Sequence, residues 1–208
     1  MKRVGRKPRF KKQRRLMVEL PGLGKSGALE RKPYPPGEHG PKRKKFSEYG
    51  LQLEEKQKML HHYQLREQQL RRIVQEAKRT AKINWVDRLI NLLERRVDNV
   101  VFRLGFAPSI RSAKQLVSHG KVFVNGKRLD IRSAILEKGD RISLKSEAYS
   151  HQDYLAAKAN PRLPLPNFLS KDTVENQEVG IVADEPTLKD FPVEFDDGRF
   201  TSYYNLKG

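Results

Sequence analysis

From Asn84 to Gly105 the chain reads NWVDRLINLLERRVDNVVFRLG, and its apolar residues Val86, Leu89, Ile90, Leu93, Val97, Val100, Val101 and Leu104 return every three or four positions. That spacing places them on one face of a helix. Asn84 suits the start and Gly105 the stop, so one helix is predicted across the stretch. Ser109 to His119 repeats the pattern in miniature: Ile110, Ala113 and Val117 face inward, and Gly120 ends the helix. The period then falls to two. In KVFVNGKRLDI, Asn125-Gly126 separates two short β-like runs, a strong hairpin signal, and EKGDRISL adds a turn at Gly139-Asp140 and a third strand. Upstream, between Ser47 and about Lys82, Leu51, Leu53, Leu60, Tyr63, Leu70, Ile73, Val74 and Ala77 recur at near-helical spacing, which predicts two helices or one bent helix.

Periodicity fails at both ends. Residues 1–45 hold 16 Lys or Arg and three Glu, with Pro8, Pro21, Pro33, Pro35, Pro36 and Pro41 distributed among them. Such a segment buries too little apolar surface to fold alone, so it is expected either to stay a basic tail or to be ordered by RNA. At the other end NPRLPLPNF is a proline-rich connection, and FPVEFDDGRFTSYYN is expected to form a hairpin turning at Asp197-Gly198. The fold class expected is α+β: a mainly helical N-terminal domain with an extended basic arm, a small module of two helices on a short antiparallel sheet, and an irregular or β C-terminal tail. The corresponding divisions are 1–46, 47–93, 94–150 and 151–208, the last packing on the helical domain or on a neighbouring protein.

Composition narrows the partner. An apolar share of 37% against 33% charged is thin for 208 residues, while 43 Lys and Arg against 25 Asp and Glu give a net charge of +18. A polyanion is the natural ligand. The charge is uneven: +16 over residues 1–100, +6 over 101–150 and −4 over 151–208. The first two segments are therefore expected to face the polyanion, and the tail to face protein. No stretch approaches the roughly 18–20 apolar residues of a membrane span, and no apolar signal core follows the basic start; an intracellular chain without membrane contact is expected. With no cysteine, disulfides and thiolate metal sites are excluded. The five histidines lack a metal-binding spacing. No cofactor is expected.

Within this frame GLGKSG, residues 22–27, resembles a phosphate-cradling loop, but the position five before Gly24 is Glu19 where the motif needs glycine. Prolines on both sides also deny it the flanking strand and helix. ATP binding is not expected, although Lys25 can meet an RNA phosphate. The better candidates are cations mixed with aromatics: Arg14 and Arg15; Lys32, Tyr34 and His39 in RKPYPPGEHG; and Lys42, Arg43, Lys44 and Lys45. On a helical projection Arg88, Arg95, Asn99 and Arg103 form a stripe with Arg96 beside it, while Asp87, Glu94 and Asp98 form another. A charged face is commonly just solvated; its sorting by sign suggests a phosphate-facing strip. Arg111, Lys114, Gln115 and Ser118 lie on the outer side of the next helix.

ALERKPYPPGEHGPKRKKFSEYGLQLEEKQK (28–58) and LLERRVDNVVFRLGFAPSIRSAKQLVSHGKVFVNGKRLDI (92–131) resemble the bacterial type of the small-subunit ribosomal protein S-four family, from about Arg14 to Tyr149. Residues 95–144 are similar to the RNA-binding module named after that family, which also occurs in RNA-modifying enzymes. The resemblance implies a primary binder of 16S ribosomal RNA at a multi-helix junction. It also implies a place at the mRNA entry channel, contact with ribosomal protein S-five that affects decoding accuracy, and in some bacteria repression of the protein's own mRNA. By matched position the RNA-facing residues would be Arg95, Arg96, Asn99, Arg103, Arg111, Ser112, Lys114, Gln115, Ser118 and His119. The YPPGEHG loop and the stretch from Lys42 to Tyr49 would join them, with Lys56 on the following helix, and Lys42 and Lys45 nearest the mRNA. The chain lacks the cysteine zinc site of many relatives, and Gln64 replaces the family's usual glycine after Tyr63, so the helix break expected there lacks its usual residue. The ribosome could be bacterial or organellar. The rival readings are a free-standing RNA-binding regulator and an RNA-modifying enzyme, but only about 60 residues follow the module and no catalytic constellation is visible.

Overall fold

The computed structural model describes residues 9–42, 45–174 and 176–206. The basic arm is better folded than its composition suggests. It forms α1 (Arg9–Leu16), a 3-10 turn (Pro21–Leu23) and α2 (Ala28–Arg31), and it buries Leu16, Leu20, Leu23 and Ala28. Four apolar anchors suffice because the arm does not build its own core; it packs on one made by the rest of the chain. Gly22 marks the closest approach, where a Cβ would sit 2.3 Å from the His62 carbonyl oxygen.

The Ser47–Lys82 region forms two helices, α3 (Glu48–His62) and α4 (Glu67–Thr80). Ser47 caps α3 by accepting from the Gly50 amide. The break comes where the sequence placed a glutamine. Gln64 takes a left-handed φ of 51°, and its side-chain amide donates to the Gly22 carbonyl at 2.8 Å. A non-glycine residue strained in this way persists where surrounding bonds fix it.

The helix predicted from Asn84 to Gly105 is two helices, α5 (Trp85–Glu94) and α6 (Val97–Arg103). Asn84 caps the start and Gly105 takes a positive φ at the end, as expected. The interruption has a specific cause. The Arg95 carbonyl accepts from the Leu136 amide at 2.9 Å and the Val97 amide donates to the Ala134 carbonyl at 2.9 Å, so Arg96 and Ile135 form an antiparallel bridge. Backbone groups that a continuous helix would use internally are spent on residues 134–136, whose distance along the chain hides the contest from local periodicity.

Next come α7 (Ile110–Ser118), capped by Ser109, then β1 (Val122–Val124), β2 (Lys127–Leu129) and β3 (Arg141–Leu144), with the Asn125-Gly126 turn between β1 and β2. Two short helices, α8 (Ser146–Tyr149) and α9 (Gln152–Ala159), lead into the tail. There the sequence reading missed a hairpin, β4 (Leu169–Val174) and β5 (Gln177–Val182). The hairpin predicted around Asp197-Gly198 is instead α10 (Asp197–Asn205), with Asp196 as its N-cap accepting from the Arg199 amide at 2.9 Å. The paired aspartates read as a turn are a helix start: their short side chains serve either role, and packing against α3 decides. β5 pairs with β3, extending the module's sheet to five antiparallel strands in the order β2-β1-β3-β5-β4. One end of the tail thus joins the sheet while the other lies on α3, and a single cluster of buried residues runs through all parts. Among the described residues, no helix is long and apolar enough to cross a membrane.

Candidate nucleic-acid interface

The cations of α5 and α6 do not form a free stripe. Asn99 and Arg103 are 1% and 6% exposed, and Arg103 Nε faces the Glu94 carboxylate at 3.3 Å while its terminal nitrogen donates to the Asp190 carbonyl at 2.8 Å. Glu94, fully buried, also accepts from the Tyr63 hydroxyl and from the Asn99 side-chain amide at 2.9 Å. Burial pushes the Glu94 carboxyl above the usual carboxylate range, against the pull of Arg103 and these two donors. Tyr63 is raised for the same reason, burial first and the Glu94 charge second. Two of these bonds reach Tyr63 and Asp190, distant along the chain, so the helical projection could not show what covers this face: the tail and the α3–α4 turn.

Arg96 is 7% exposed and makes a two-pronged pair with Asp98, at 3.1 and 2.8 Å. Lys114 turns inward from α7, donating to the Tyr63 and Gln64 carbonyls at 2.8 and 2.9 Å and standing 3.7 Å from Asp98. Burial lowers its pKa to about 8, with Asp98 opposing. Lys56, 4% exposed, donates to Glu67 at 2.7 Å and to the Tyr203 hydroxyl at 3.2 Å. Lys56, Arg96, Asn99, Arg103 and Lys114, expected to face RNA, thus all take partners inside the chain. If Arg96 or Arg103 left to meet a phosphate, Asp98 or Glu94 would be stranded in a poorly solvated site, which costs several kcal/mol, on the order of 3–5. Arg95 is half-buried, its Nε donating to the Leu136 carbonyl at 2.6 Å. Ser112 donates to Asp153 at 2.8 Å.

What remains open to a polyanion is a different set. On α7, Arg111, Gln115 and Ser118 share an exposed face and His119 follows at its end. In the arm, Arg15, Lys32, His39, Lys42 and Lys45 are exposed, whereas Arg43 and Lys44 lie outside the described residues. Arg14 shapes this region from below: its guanidinium donates to the Tyr34 and Pro35 carbonyls at 2.9 and 3.2 Å and lies 5.0 Å from the centre of the Tyr34 ring. That clamp and the tight approach of Gly40 to the Pro35 carbonyl hold the PYPPGEHG loop in a fixed bend. Lys25 sits over the Phe10 ring at 4.9 Å. Phe46 and Tyr49 present exposed aromatic surface beside Lys45. The sequence reading passed over exposed Arg71, Arg72 and Arg79 on α4, whose signal was visible as cations opposite the Leu70, Val74 and Ala77 face. Among the described residues no group of three or more acidic or histidine side chains could hold a metal ion.

Residues 2–94 match the model of the ribosomal protein S4/S9 N-terminal domain, and residues 95–142 match that of the S4 domain. The boundary falls at Glu94, where α5 ends. The chain is 59% identical to small ribosomal subunit protein uS4B of Bdellovibrio bacteriovorus over the full length of both chains. It is 43% identical to small ribosomal subunit protein uS4 of Methylobacillus flagellatus, covering 95% of each chain, and 40% identical to that of Geobacillus stearothermophilus, covering 95% of this chain and 96% of the other. With the arm, helical domain, module and tail all inside these matches, the chain belongs to the uS4 family of bacterial-type small-ribosomal-subunit proteins, in a cysteine-free form.

Proposed function

We propose that the protein grips a multi-helix junction of 16S ribosomal RNA through two exposed basic surfaces and holds its helices at a fixed angle early in small-subunit assembly. As a uS4-family member it is a structural, rRNA-binding constituent of the small ribosomal subunit and not an enzyme. The observation that supports the grip is the separation of its cations into two classes. Arg96, Arg103 and Lys114 are spent inside, while Arg111 on α7 and Arg15, Lys32, Lys42 and Lys45 on the arm stay exposed on a rigid frame. Phosphate contacts supply affinity, whereas selectivity comes from junction shape, unstacked bases and 2′-hydroxyls, because the A-form major groove excludes side chains. Gln115, Ser118, His119, Tyr34 and Tyr49 are the polar and aromatic side chains placed for that second task.

In this reading the parts 1–46, 47–93 and 94–150 meet RNA, and Lys42 and Lys45 stand nearest the mRNA path. The tail, 151–208, packs on the helical domain and turns outward acids, among them Asp172, Glu194 and Asp197, toward a neighbouring ribosomal protein; contact of the chain with ribosomal protein S-five belongs to the same reading. A hydroxyl-radical footprint on naked 16S RNA tests the grip: strong protection at one multi-helix junction is expected, and protection scattered along the RNA would refute it. Crosslinks from the tail that go to RNA rather than protein would refute the second assignment.

A further inference from the structure

Gly22 is held by both of its backbone groups. Its amide donates to His62 Nδ1 at 3.4 Å and its carbonyl accepts from the Gln64 side-chain amide at 2.8 Å, so the 3-10 turn of the arm is gripped by the end of α3 and the turn that follows. The fit is close. Leu20 and Leu23 are buried on either side of Gly22, and a Cβ on it would lie 2.7 Å from Ile110 Cδ1 as well as against the His62 carbonyl. Two long cations, Lys12 at 3.3 Å from His61 and Arg162 at 2.9 Å from Ser26, also join the arm to the body.

The arm is also knitted to itself. Gln13, fully buried, donates to the Lys25 carbonyl at 2.8 Å, Glu19 accepts from the Gly27 amide at 2.8 Å, and the Arg14 guanidinium holds the Tyr34 and Pro35 carbonyls. Fixing Gly22 therefore orients a unit that reaches to residue 35. Across the same turn, the Tyr63 and Gln64 carbonyls accept from Lys114 of α7. One short turn thus carries the arm on a side chain and the module on its carbonyls. Gln64 does this in a left-handed conformation, φ 51°, which disfavours any side chain and suits glycine.

We propose that Gln64 is a positioning residue: its amide closes a clasp on Gly22 that orders the arm before RNA arrives and sets Arg15 and Lys32 at a fixed place relative to Arg111 on α7. The proposal rests on the two-surface reading above, and Gln64 itself touches no RNA in it. The test uses the full chain as wild type, Q64G, Q64A and Q64E. Q64G removes the amide and relieves the left-handed strain, Q64A removes the amide and keeps the strain, and Q64E keeps the shape but turns a carboxylate oxygen on the Gly22 carbonyl. In the free chain, trypsin cleavage after the exposed Lys25 and Arg31 is expected to quicken about 3- to 10-fold in all three variants. Q64A is expected to melt below Q64G. Binding of Q64G to 16S RNA should weaken by a similar factor with the salt slope of wild type, because no cation is lost. Wild-type cleavage rates in Q64G and Q64E would overturn the clasp. Faster cleavage with unchanged affinity, or weaker binding with a flatter slope, would overturn its part in placing the arm's cations. A wild-type chain that ignores the RNA would overturn the two-surface reading and the placement with it, while the cleavage rates still decide the clasp.

Discussion

Arg103 reaches Glu94 with its Nε 3.3 Å from the carboxylate, and both side chains are buried. The pair is the centre of a network that ties three stretches of chain together: Tyr63 at the end of α3, Asn99 on α6, and the Asp190 carbonyl of the tail. Residues that a helical projection assigns to an RNA stripe also join the helical domain, the module and the tail. They fix the relative placement of surfaces carried by other residues.

Replacing Arg103 by Ala leaves Glu94 buried and without its cation. Removing one partner of a buried pair costs about 3–5 kcal/mol, and urea denaturation is expected to show a loss of that order. Below the unfolding transition the salt slope for RNA binding should match wild type, because no phosphate contact is removed. Retained stability with a slope reduced by roughly one contact, about 0.7–0.9, would return Arg103 to the RNA surface.

Lys114→Met keeps the aliphatic stem and removes the ammonium that the Tyr63 and Gln64 carbonyls share. Two acceptors lose their donor, so a destabilisation of about 1–3 kcal/mol is expected. Hydrogen exchange should locate it: faster exchange at residues 63–65 and in α7, with β4 and β5 unaffected. Exchange unchanged at the α3–α4 turn would show that the ammonium does not hold it.

The elements legible in the sequence were those whose partners are close in the chain. Ser109 and Asn84 cap their own helices, and Asn125-Gly126 turns its own hairpin. The misread elements answer to distant residues. Leu136, 41 positions on, breaks the helix at Arg95; α3 stabilises α10 where a hairpin was expected; β3 recruits a hairpin whose outer strand, LSKDTV, is mostly exposed and so shows no apolar alternation. The site divides in the same way. Arg111 and Gln115 were legible because an amphipathic helix exposes them whatever packs elsewhere, whereas the burial of Asn99 and Arg103 depends on the tail, some 90 residues away. Sign sorting alone cannot distinguish a stripe facing phosphate from one facing buried carboxylates.

Gly180 is where β5 crosses Leu104: a Cβ there would lie 2.2 Å from the nearest leucine methyl. Gly180→Ala must displace Leu104, which is buried, or lift β5 from β3. Overpacking of this kind costs about 1–3 kcal/mol. Limited proteolysis should then cut preferentially within 160–190, and combining the change with Leu104→Val should recover part of the loss. No recovery would place the strain elsewhere.

His62 gives the fold an acid-sensitive point. It is fully buried between Tyr63 and Phe191, with Nδ1 accepting weakly from the Gly22 amide at 3.4 Å and Nε2 without a partner among the described residues. Burial first, and the Arg103 charge second, lower its pKa from 6.5 to about 3. Between those values the unfolded chain holds a proton that the folded chain refuses, so stability is present above pH 6.5 and is lost as pH falls toward 3. From pH 7 to pH 5 the loss amounts to about 2 kcal/mol. Glu94 acts in the opposite sense, since its raised pKa lets the folded state take up a proton first as pH falls. Comparison with a variant that lacks the imidazole separates the His62 contribution from that of Glu94. His62→Leu fills similar space without a titrating group, and its urea midpoint should move less between pH 7 and 5 than that of wild type. Equal shifts in the two proteins would mean that the imidazole is already protonated in the folded state, with its charge accommodated beside Arg103.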